Sequence, residues 1–343
     1  MPGNYDTVEL VALIEEHKAP LPYLTRRYFP SVMEFDTEEV AFDYVLGERR
    51  MAPFVSPMAA GVVMRSKGST MKTFRPAYVK PKHSINPAEP LKRLPGEQLM
   101  GAMSPEQRLN LMKAKKYVDQ SNMIDNRIEW MVAQILKAGS VTVEGDNYPK
   151  QVVDYNRDAG LSITLLTTAR WNDSAPEIID DIESTATLMA QADFGSPATD
   201  ILMAPDVWAV MRKDAGVKDL LDTNYIGGNT VIDRAPQVFD NDADPVEVGR
   251  MGRFRLLVDA RDYEDDTGSV VPYMGSGEVL MLSQNLGGVQ AFGAILDLDV
   301  MHAMRAFPKE WKEQDPSAWM VMTQSAPLPI PQRINGCAYL KVF

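Results

Sequence analysis

One long uninterrupted helical segment constrains this chain more than any other feature of its sequence. Ser104 can serve as the N-cap, Pro105 suits the first helical position, and Gln107 can complete a capping box. No proline or glycine follows until Gly139, which is a favourable residue just beyond a helix end. The pattern predicts a helix over 104–138, which at ~1.5 Å per residue is a rod of roughly 50 Å. The fold must be built around this rod.

The apolar residues of this helix predict which part of it is buried. Ile124, Ile128, Met131 and Ile135 recur at intervals of four, three and four residues, which places them on one core-facing stripe. The preceding half is more polar, so deep burial is predicted only for the second half. A coiled coil is the structural alternative, but the apolar repeat across 113–121 is weak.

Composition and charge exclude several classes of protein. The chain has 343 residues, enough for two domains or one large domain, and 45% hydrophobic residues provide a core. Its apolar runs are too short to cross a bilayer, so no membrane association is predicted. The only cysteine, Cys337, cannot form an intrachain disulfide, which fits a reducing cytoplasm. The net charge of −12 argues against a dedicated nucleic-acid-binding protein.

The segment 61–95 has the opposite charge to the rest of the chain. It contains eight basic residues and one acidic residue, a net +7, which leaves −19 for the remainder. Prolines interrupt short β-like pieces in it, which predicts a long two-stranded excursion that must lie on another surface. A basic excursion on an acidic body favours self-association. Two alternatives are a merely solvated loop and a single-strand nucleic-acid surface, since Phe74 and Tyr78 interleave with the cations.

The beginning of the sequence has the character of an arm. Residues 6–17 form a short amphipathic helix pattern that prolines at 20 and 22 end, and an aromatic patch follows. A helix this short is marginal alone in water, so its apolar partner is expected elsewhere.

The rest of the chain alternates between short strands and helices. Helices are predicted over 177–192 and 205–213. Strands are predicted over 35–46, 141–143, 150–155, 161–167, 201–203, 254–258, 269–273, 279–282, 289–292, 297–305, 319–325 and 337–343. The strands 254–258 and 269–273 are expected to pair as a hairpin around an acidic tip.

Motifs for metal binding are weak, and neither a metal nor a cofactor is predicted. The three histidines lie far apart in the sequence without ligand spacing. The run 240–244 resembles the start of an EF-hand loop, but Pro245 stands at the position that requires glycine and Met251 at the position that requires glutamate. An acidic surface loop is the better interpretation.

The triplet Asp266-Thr267-Gly268 matches the short motif of aspartic proteases. Those enzymes need two such carboxylates in a protected cleft, whereas this triplet follows other acidic residues at a polar hairpin tip. Asp-Thr-Gly is also favourable turn chemistry. No catalytic residue is therefore predicted, and the chain is not expected to be an enzyme.

Several motifs along the chain resemble the lambda-type family of phage major capsid proteins. These stand in the family's order and span nearly the whole sequence: Tyr78–His83, Leu91–Pro95, Asp180-Asp181-Ile182, Asp206-Val207-Trp208, Leu220–Thr223, Phe307–Trp311 and Gln324–Leu328. The resemblance implies an α+β fold, the one named after phage HK97. The implied parts are an N-terminal arm (1–35), an extended-loop region (36–97), a peripheral domain (98–175) with spine helix 104–138, an axial domain (176–300) and a return to the peripheral domain (301–343). Strands near 141–167 and 319–343 would share one peripheral sheet.

The resemblance also implies which residues meet neighbouring subunits. On the extended loop these are Arg65, Lys67, Lys72, Phe74, Arg75, Tyr78, Lys80 and Lys82. On the arm they are Leu10, Leu13, Ile14, Tyr23, Tyr28 and Phe29.

The implied function is a self-assembling shell of hexamers and pentamers, the icosahedral head of a tailed phage. It would enclose double-stranded DNA without sequence-specific binding, and it would assemble in the host bacterial cytoplasm. The expected partners are a portal, a decoration protein at local threefold positions and a scaffolding protein. The last is expected to be separate because the sequence begins directly with the arm.

Three other functions are kept open by the sequence. The same fold could form an encapsulin nanocompartment around an enzyme cargo. A hydrolase could use the carboxylates of 262–268, and a tail-tube or other virion protein would form rings or tubes instead of closed shells.

Overall fold

The computed structural model describes residues 22–37, 40–45, 69–94, 103–145, 148–174, 176–218, 244–298 and 302–343. Four α-helices have both of their ends in these ranges: α1 (Tyr23–Tyr28), α2 (Pro105–Ala138), α3 (Ile178–Gln191) and α4 (Pro205–Met211). None of the helices in the described ranges is both long and apolar enough to span a bilayer. The predicted helix over 6–17 lies outside the described residues.

The spine helix α2 confirms the prediction made from its capping residues. The Ser104 hydroxyl accepts from Gln107 N–H, the Gln107 side chain accepts from Ser104 N–H, and Gly139 has a φ of 71°. The predicted stripe is buried, with Ile128 only 1% exposed. At 34 residues the helix is a rod of roughly 50 Å at ~1.5 Å per residue.

Arg157 closes the other end of the spine helix. Its guanidinium donates to the carbonyl oxygens of Leu136 at 2.7 Å and Lys137 at 2.6 Å. These carbonyls lack intrahelical partners, and a cation at a helix C-terminus also interacts favourably with the helix dipole. A residue nineteen positions beyond the last helical residue, Ala138, therefore completes the C-terminal cap.

Eighteen short strands surround the helices in the described ranges. They are β1 (Ser31–Glu34), β2 (Val40–Val45), β3 (Ser69–Phe74), β4 (Lys82–Ile85), β5 (Ser140–Gly145), β6 (Tyr148–Asp154), β7 (Ser162–Thr164), β8 (Asp200–Met203), β9 (Val246–Met251), β10 (Phe254–Val258), β11 (Asp262–Glu264), β12 (Val270–Pro272), β13 (Glu278–Leu282), β14 (Val289–Phe292), β15 (Phe307–Gln314), β16 (Ser317–Gln324), β17 (Pro327–Ile330) and β18 (Cys337–Lys341). Among the strands that the structure describes, three of the six sheets have only two strands: β2–β3, β5–β6 and β11–β12.

A six-stranded sheet in the order β7-β18-β13-β8-β10-β9 organises the core. Every residue of the central strand β8 is buried. Two three-stranded sheets complete the fold, in the orders β1-β14-β17 and β15-β16-β4. The expectation of one peripheral sheet holds only for β7 with β18, because β5–β6 forms its own hairpin and β16 belongs to the sheet with β4.

The structure corrects the predicted hairpin of 254–258 with 269–273. Strand β10 pairs in parallel with β8 and antiparallel with β9, which buries Leu256 and Leu257 in the main sheet. The acidic tip is instead flanked by β11 and β12. The free energy gained by burying Leu256 and Leu257 in the main sheet outweighs that of pairing β10 with the next strand in the sequence.

The strand predicted over 297–305 is also wrong in the residues described there. Ala294 and Ala303 form one isolated bridge, and the Asp297 carboxylate accepts from Lys309 Nζ and Gln324 Nε2. These side-chain bonds join Asp297 to strands β15 and β16. Strand β15 itself was not predicted, because charged residues such as Lys309 occupy its half-buried positions.

Candidate assembly interface

Two strands of the extended-loop region, β2 and β3, pair with each other through six residue pairs. Strand β2 runs antiparallel to β3, from Val40 opposite Phe74 to Val45 opposite Ser69. Among the described strands these two pair only with each other. Lys72 lies in this ladder, opposite Phe42. Because an isolated two-stranded hairpin is marginal in water, this one needs a surface to stabilise it.

The base of the hairpin is fixed to this chain's own body. Phe74 is half-buried and packs against the main core. The Tyr78 hydroxyl donates to Ala294 O at 2.7 Å and accepts from Leu296 N–H at 2.9 Å. Val79 makes a backbone bridge with Ser325. Two of the predicted interface residues therefore have structural roles within the subunit.

The cations beyond the hairpin remain on the surface. Arg75, Lys80 and Lys82 are exposed. Lys80 Nζ lies 4.8 Å from the ring centroid of Tyr78, and Lys82 Nζ lies 5.0 Å from that of Trp311. The ammonium groups keep water on one side and an aromatic face on the other. The predicted contacts Arg65 and Lys67 lie outside the described residues.

The aromatic patch of the arm is placed differently from the prediction. Tyr23, Tyr28 and Phe29 are 6%, 1% and 0% exposed within the single chain. Their side chains belong to the main hydrophobic core and offer no surface to another subunit. In the single chain these three residues therefore have a structural role, because the subunit's own core buries them. The other predicted arm contacts, Leu10, Leu13 and Ile14, lie outside the described residues.

A carboxylate on the spine helix caps the short helix α1. Glu129 accepts from the backbone N–H groups of Leu24 and Thr25, both at 2.8 Å, and from the Thr25 hydroxyl at 2.7 Å. Pro22 stands at the N-cap and supplies no side-chain bond. The unsatisfied N–H donors of a helix N-terminus favour a negative charge. Glu129 thus provides the missing cap from a residue more than a hundred positions away.

Arg261 balances this buried carboxylate. Its guanidinium donates to Glu129 at 2.9 Å and to both oxygens of Asp259 at 2.8 Å. Burial raises the pKa of Glu129, while Arg261 and the Thr25 bonds oppose that rise. A buried charge of this kind is tolerated only when it is paired and hydrogen-bonded.

The other end of α1 is held by Asp200. Its Oδ2 accepts from Arg27 at 2.8 Å and from the Tyr28 hydroxyl at 2.7 Å. Asp200 is the first residue of β8, so the arm base is attached to the spine at one end and to the main sheet at the other. Sequence reasoning missed Glu129, Arg261 and Asp200, which act across distant segments.

The acidic tip has the geometry of a turn. Asp265 Oδ1 accepts from Thr267 N–H, the Thr267 hydroxyl and Ser269 N–H at 2.6–2.9 Å. Bonds from Thr267 and Ser269 lower the pKa of Asp265. Asp266 pairs with Arg127 of the spine and is 77% exposed. In the described part of the chain, no cluster of His, Cys, Asp or Glu could hold a metal ion.

Solved structures define the class of protein to which this fold belongs. The chain is similar to the putative capsid protein of a prophage from E. coli CFT073, with a TM-score of 0.72 over 100% of both chains at 23% identity. It is also similar to the capsid of Myoviridae phage XM1, with a TM-score of 0.53, 10% identity, and coverage of 96% of this chain and 95% of the other. The fold is the α+β, HK97-like fold of phage capsid proteins, as predicted.

The sequence comparisons identify the family. The model of the phage major capsid protein E family matches residues 6–342. The major capsid protein of Enterobacteria phage phi80 is 30% identical over 333 residues, and that of Escherichia phage lambda is 29% identical over 332; each alignment covers 94% of this chain and 95% of the relative. The chain therefore belongs to the phage major capsid protein E family. The resemblance to the lambda-type family is confirmed, and the phage-head interpretation is favoured over a nanocompartment.

Proposed function

We propose that this chain is the subunit from which the icosahedral head of a tailed phage assembles. The observation that carries the proposal is family membership over residues 6–342. The β2–β3 excursion supports it, because six residue pairs with no further strand partner in the described ranges need a surface beyond the hairpin itself.

The extended loop would reach across a neighbouring subunit, and its base would stay fixed to its own body through Tyr78 and Val79. Burial of apolar surface would supply most of the affinity, at about 25 cal/mol per Å². Arg75, Lys80 and Lys82 would pair with acidic neighbours and set the register of the contact. Exposed pairs of this kind contribute only about 0–1 kcal/mol each.

The arm contacts that fit this proposal are those before the buried base. Leu10, Leu13 and Ile14 would reach the neighbour, while α1 anchors the arm through Glu129 and Asp200. The division into arm (1–35), extended-loop region (36–97), peripheral domain (98–175 and 301–343) and axial domain (176–300) is part of the same proposal.

The wider set of partners follows from the head function. Subunits would gather as hexamers and pentamers, with a separate scaffolding protein during assembly, a portal, and a decoration protein at local threefold positions. The net charge of −12 would keep the shell from gripping the packaged double-stranded DNA. The turn geometry of Asp265 and the exposure of Asp266 support a purely structural role without catalysis.

Negative-stain electron microscopy of the chain expressed with its neighbouring phage genes tests the proposal. Closed icosahedral shells with an empty or DNA-filled interior are expected. Rings or tubes would assign the chain to another virion part. Shells that carry a co-purified enzyme cargo, without scaffolding protein or genome, would identify a nanocompartment instead.

A further inference from the structure

A fully buried glutamine joins the spine helix to the sheet that receives the extended loop. Gln120 is 0% exposed although it lies in the more polar half of α2. Its Nε2 donates to Val321 O at 2.9 Å, and its Oε1 accepts from the Thr323 hydroxyl at 2.7 Å. Rotating the amide by 180° would set Oε1 against the Val321 carbonyl, which can only accept. The neighbours on β16 therefore fix the orientation of this amide.

His83 on strand β4 meets the same amide nitrogen. The distance from His83 Nδ1 to Gln120 Nε2 is 2.9 Å. An amide nitrogen donates and does not accept, so Nδ1 must be the acceptor and carry no proton. The imidazole is then the neutral tautomer with its hydrogen on Nε2. A second proton, on Nδ1, would place two donors against each other at hydrogen-bond distance.

We infer that His83 and Gln120 form an acid-sensitive latch, which holds β4 on the spine helix at neutral pH and opens when the imidazole gains a proton. The latch matters because β4 is the strand through which the extended-loop region returns to the body. It is an edge strand with only four residue pairs to β16. The inference concerns the single folded chain and holds whatever particle the chain forms.

Charges on the spine act on this imidazole in opposite directions. Partial burial and the Lys116 ammonium, one helical turn before Gln120, lower the pKa of His83, and Asp119 opposes them. Both charged residues lie on the same helix as the glutamine. The surroundings thus favour the neutral imidazole that the hydrogen-bond geometry requires.

The sheet contributes two further charged groups. Glu310 lies opposite Val321, and Val321 lies opposite His83, so the three side chains share one face of the sheet. At ~4.8 Å between neighbouring strands, the backbone of Glu310 is about 10 Å from that of His83. Lys113 pairs with Glu310 at 3.3 Å. On the other face, the Lys82 ammonium lies over the Trp311 ring. Neither side of the sheet places an unpaired carboxylate next to the imidazole in the described residues.

The sign of the linkage follows from the lowered pKa. The latched imidazole has a lower pKa than the released one, whose ordinary pKa is near 6.5. As the pH falls below that ordinary value, protons therefore bind preferentially to the released imidazole. The latch therefore contributes fully above that value and is lost as the pH falls through the folded-state pKa. The size of the effect follows from the pKa of His83 in the folded and the unfolded chain. For each pKa unit between the two values, the hydrogen-exchange protection factor should fall by a factor of ~10.

Hydrogen exchange of the full chain, compared with His83→Asn, tests the latch. Asparagine places an amide oxygen near the Nδ1 position, so it can accept from Gln120 without titrating. Between pH 7.5 and 5.0, with intrinsic exchange corrected, the peptide 80–86 of the wild type should lose protection, while that of His83→Asn should keep it. The buried strand β13 serves as the internal reference and should not change in either chain.

A second measurement does not depend on the variant. The imidazole of His83 in the wild-type chain is titrated by NMR, and the latch requires a pKa below that of the unfolded chain together with a neutral Nε2-H tautomer at pH 7.5. Equal acid loss of protection in both chains would overturn the inference. A His83 that titrates at or above its unfolded value, or that carries its neutral proton on Nδ1, would also overturn it.

Discussion

The carboxylate of Glu129 and the guanidinium of Arg261 lie 2.9 Å apart, with side-chain exposures of 0% and 3%. The same carboxylate accepts from the N–H groups of Leu24 and Thr25, so the arm base, the spine helix and the start of the acidic hairpin meet at one ion pair. Removing one partner of such a pair leaves an uncompensated charge away from water. The attachment of the arm base to the spine helix therefore depends on this buried charge balance.

Glu129→Gln is expected to destabilise the subunit by about 3–5 kcal/mol, the usual range for breaking a buried pair. The amide presents an NH₂ group where the carboxylate accepts from Thr25 or Arg261, and Arg261 loses one counter-charge. Urea unfolding followed by circular dichroism measures the change. The matched control is Glu183→Gln, whose partner Arg253 lies 2.9 Å away in an exposed pair. A Glu129→Gln effect no larger than that of the control would contradict the prediction.

The two halves of the spine helix are expected to respond differently to truncation. Ile128 is 1% exposed and Val118 is 51% exposed on the same helix. Ile128→Ala should cost about 2–5 kcal/mol, since it leaves a cavity in the core. Val118→Ala should stay within about 0.5 kcal/mol. Thermal unfolding of both variants compares them directly, and similar losses would show that the stripe does not define the buried face.

Local chemistry explains what could be predicted from the sequence. The ends of α2 depend on Ser104, Gln107 and Gly139, which act within a few residues of one another, and the structure has them as predicted. The apolar period within the helix also identifies the buried stripe without reference to the rest of the chain. The short strand over 201–203 was found because it is a continuous apolar run.

Long-range pairing explains what could not be predicted. Glu129 is a charged residue beside the buried stripe, and its partner Arg261 is 132 positions away, so periodicity gives no sign of it. The parallel pairing of β10 with β8 likewise joins segments separated by the residues 204–253. From the sequence, Tyr28 and Phe29 were assigned to an arm that contacts another subunit. The core residues that bury them come from distant segments, so the local sequence does not indicate their burial.

Asp266→Ala is expected to leave both stability and assembly unchanged. The carboxylate is 77% exposed and its pair with Arg127 is a surface pair, so the loss should stay within about 1 kcal/mol. The turn itself depends on Asp265, which this change leaves intact. Electron microscopy of the particles and a peptidase assay on an unfolded protein substrate from pH 3 to 7 check the prediction. Peptidase activity in the wild type that Asp266→Ala abolishes would support the hydrolase alternative.

Shortening the extended loop in register should separate folding from assembly. Phe42 lies opposite Lys72, so residues 43–71 can be replaced by Asn-Gly, which favours a two-residue hairpin turn. The chain should still fold, because Tyr78, Val79 and β4 hold the base of the loop, and its circular dichroism and unfolding should resemble the wild type. It should form no closed shells under conditions in which the wild type does. The control Arg75→Gln removes one exposed cation, worth about 0–1 kcal/mol, and should still assemble. Normal shells from the shortened chain would show that the excursion does not join neighbouring subunits.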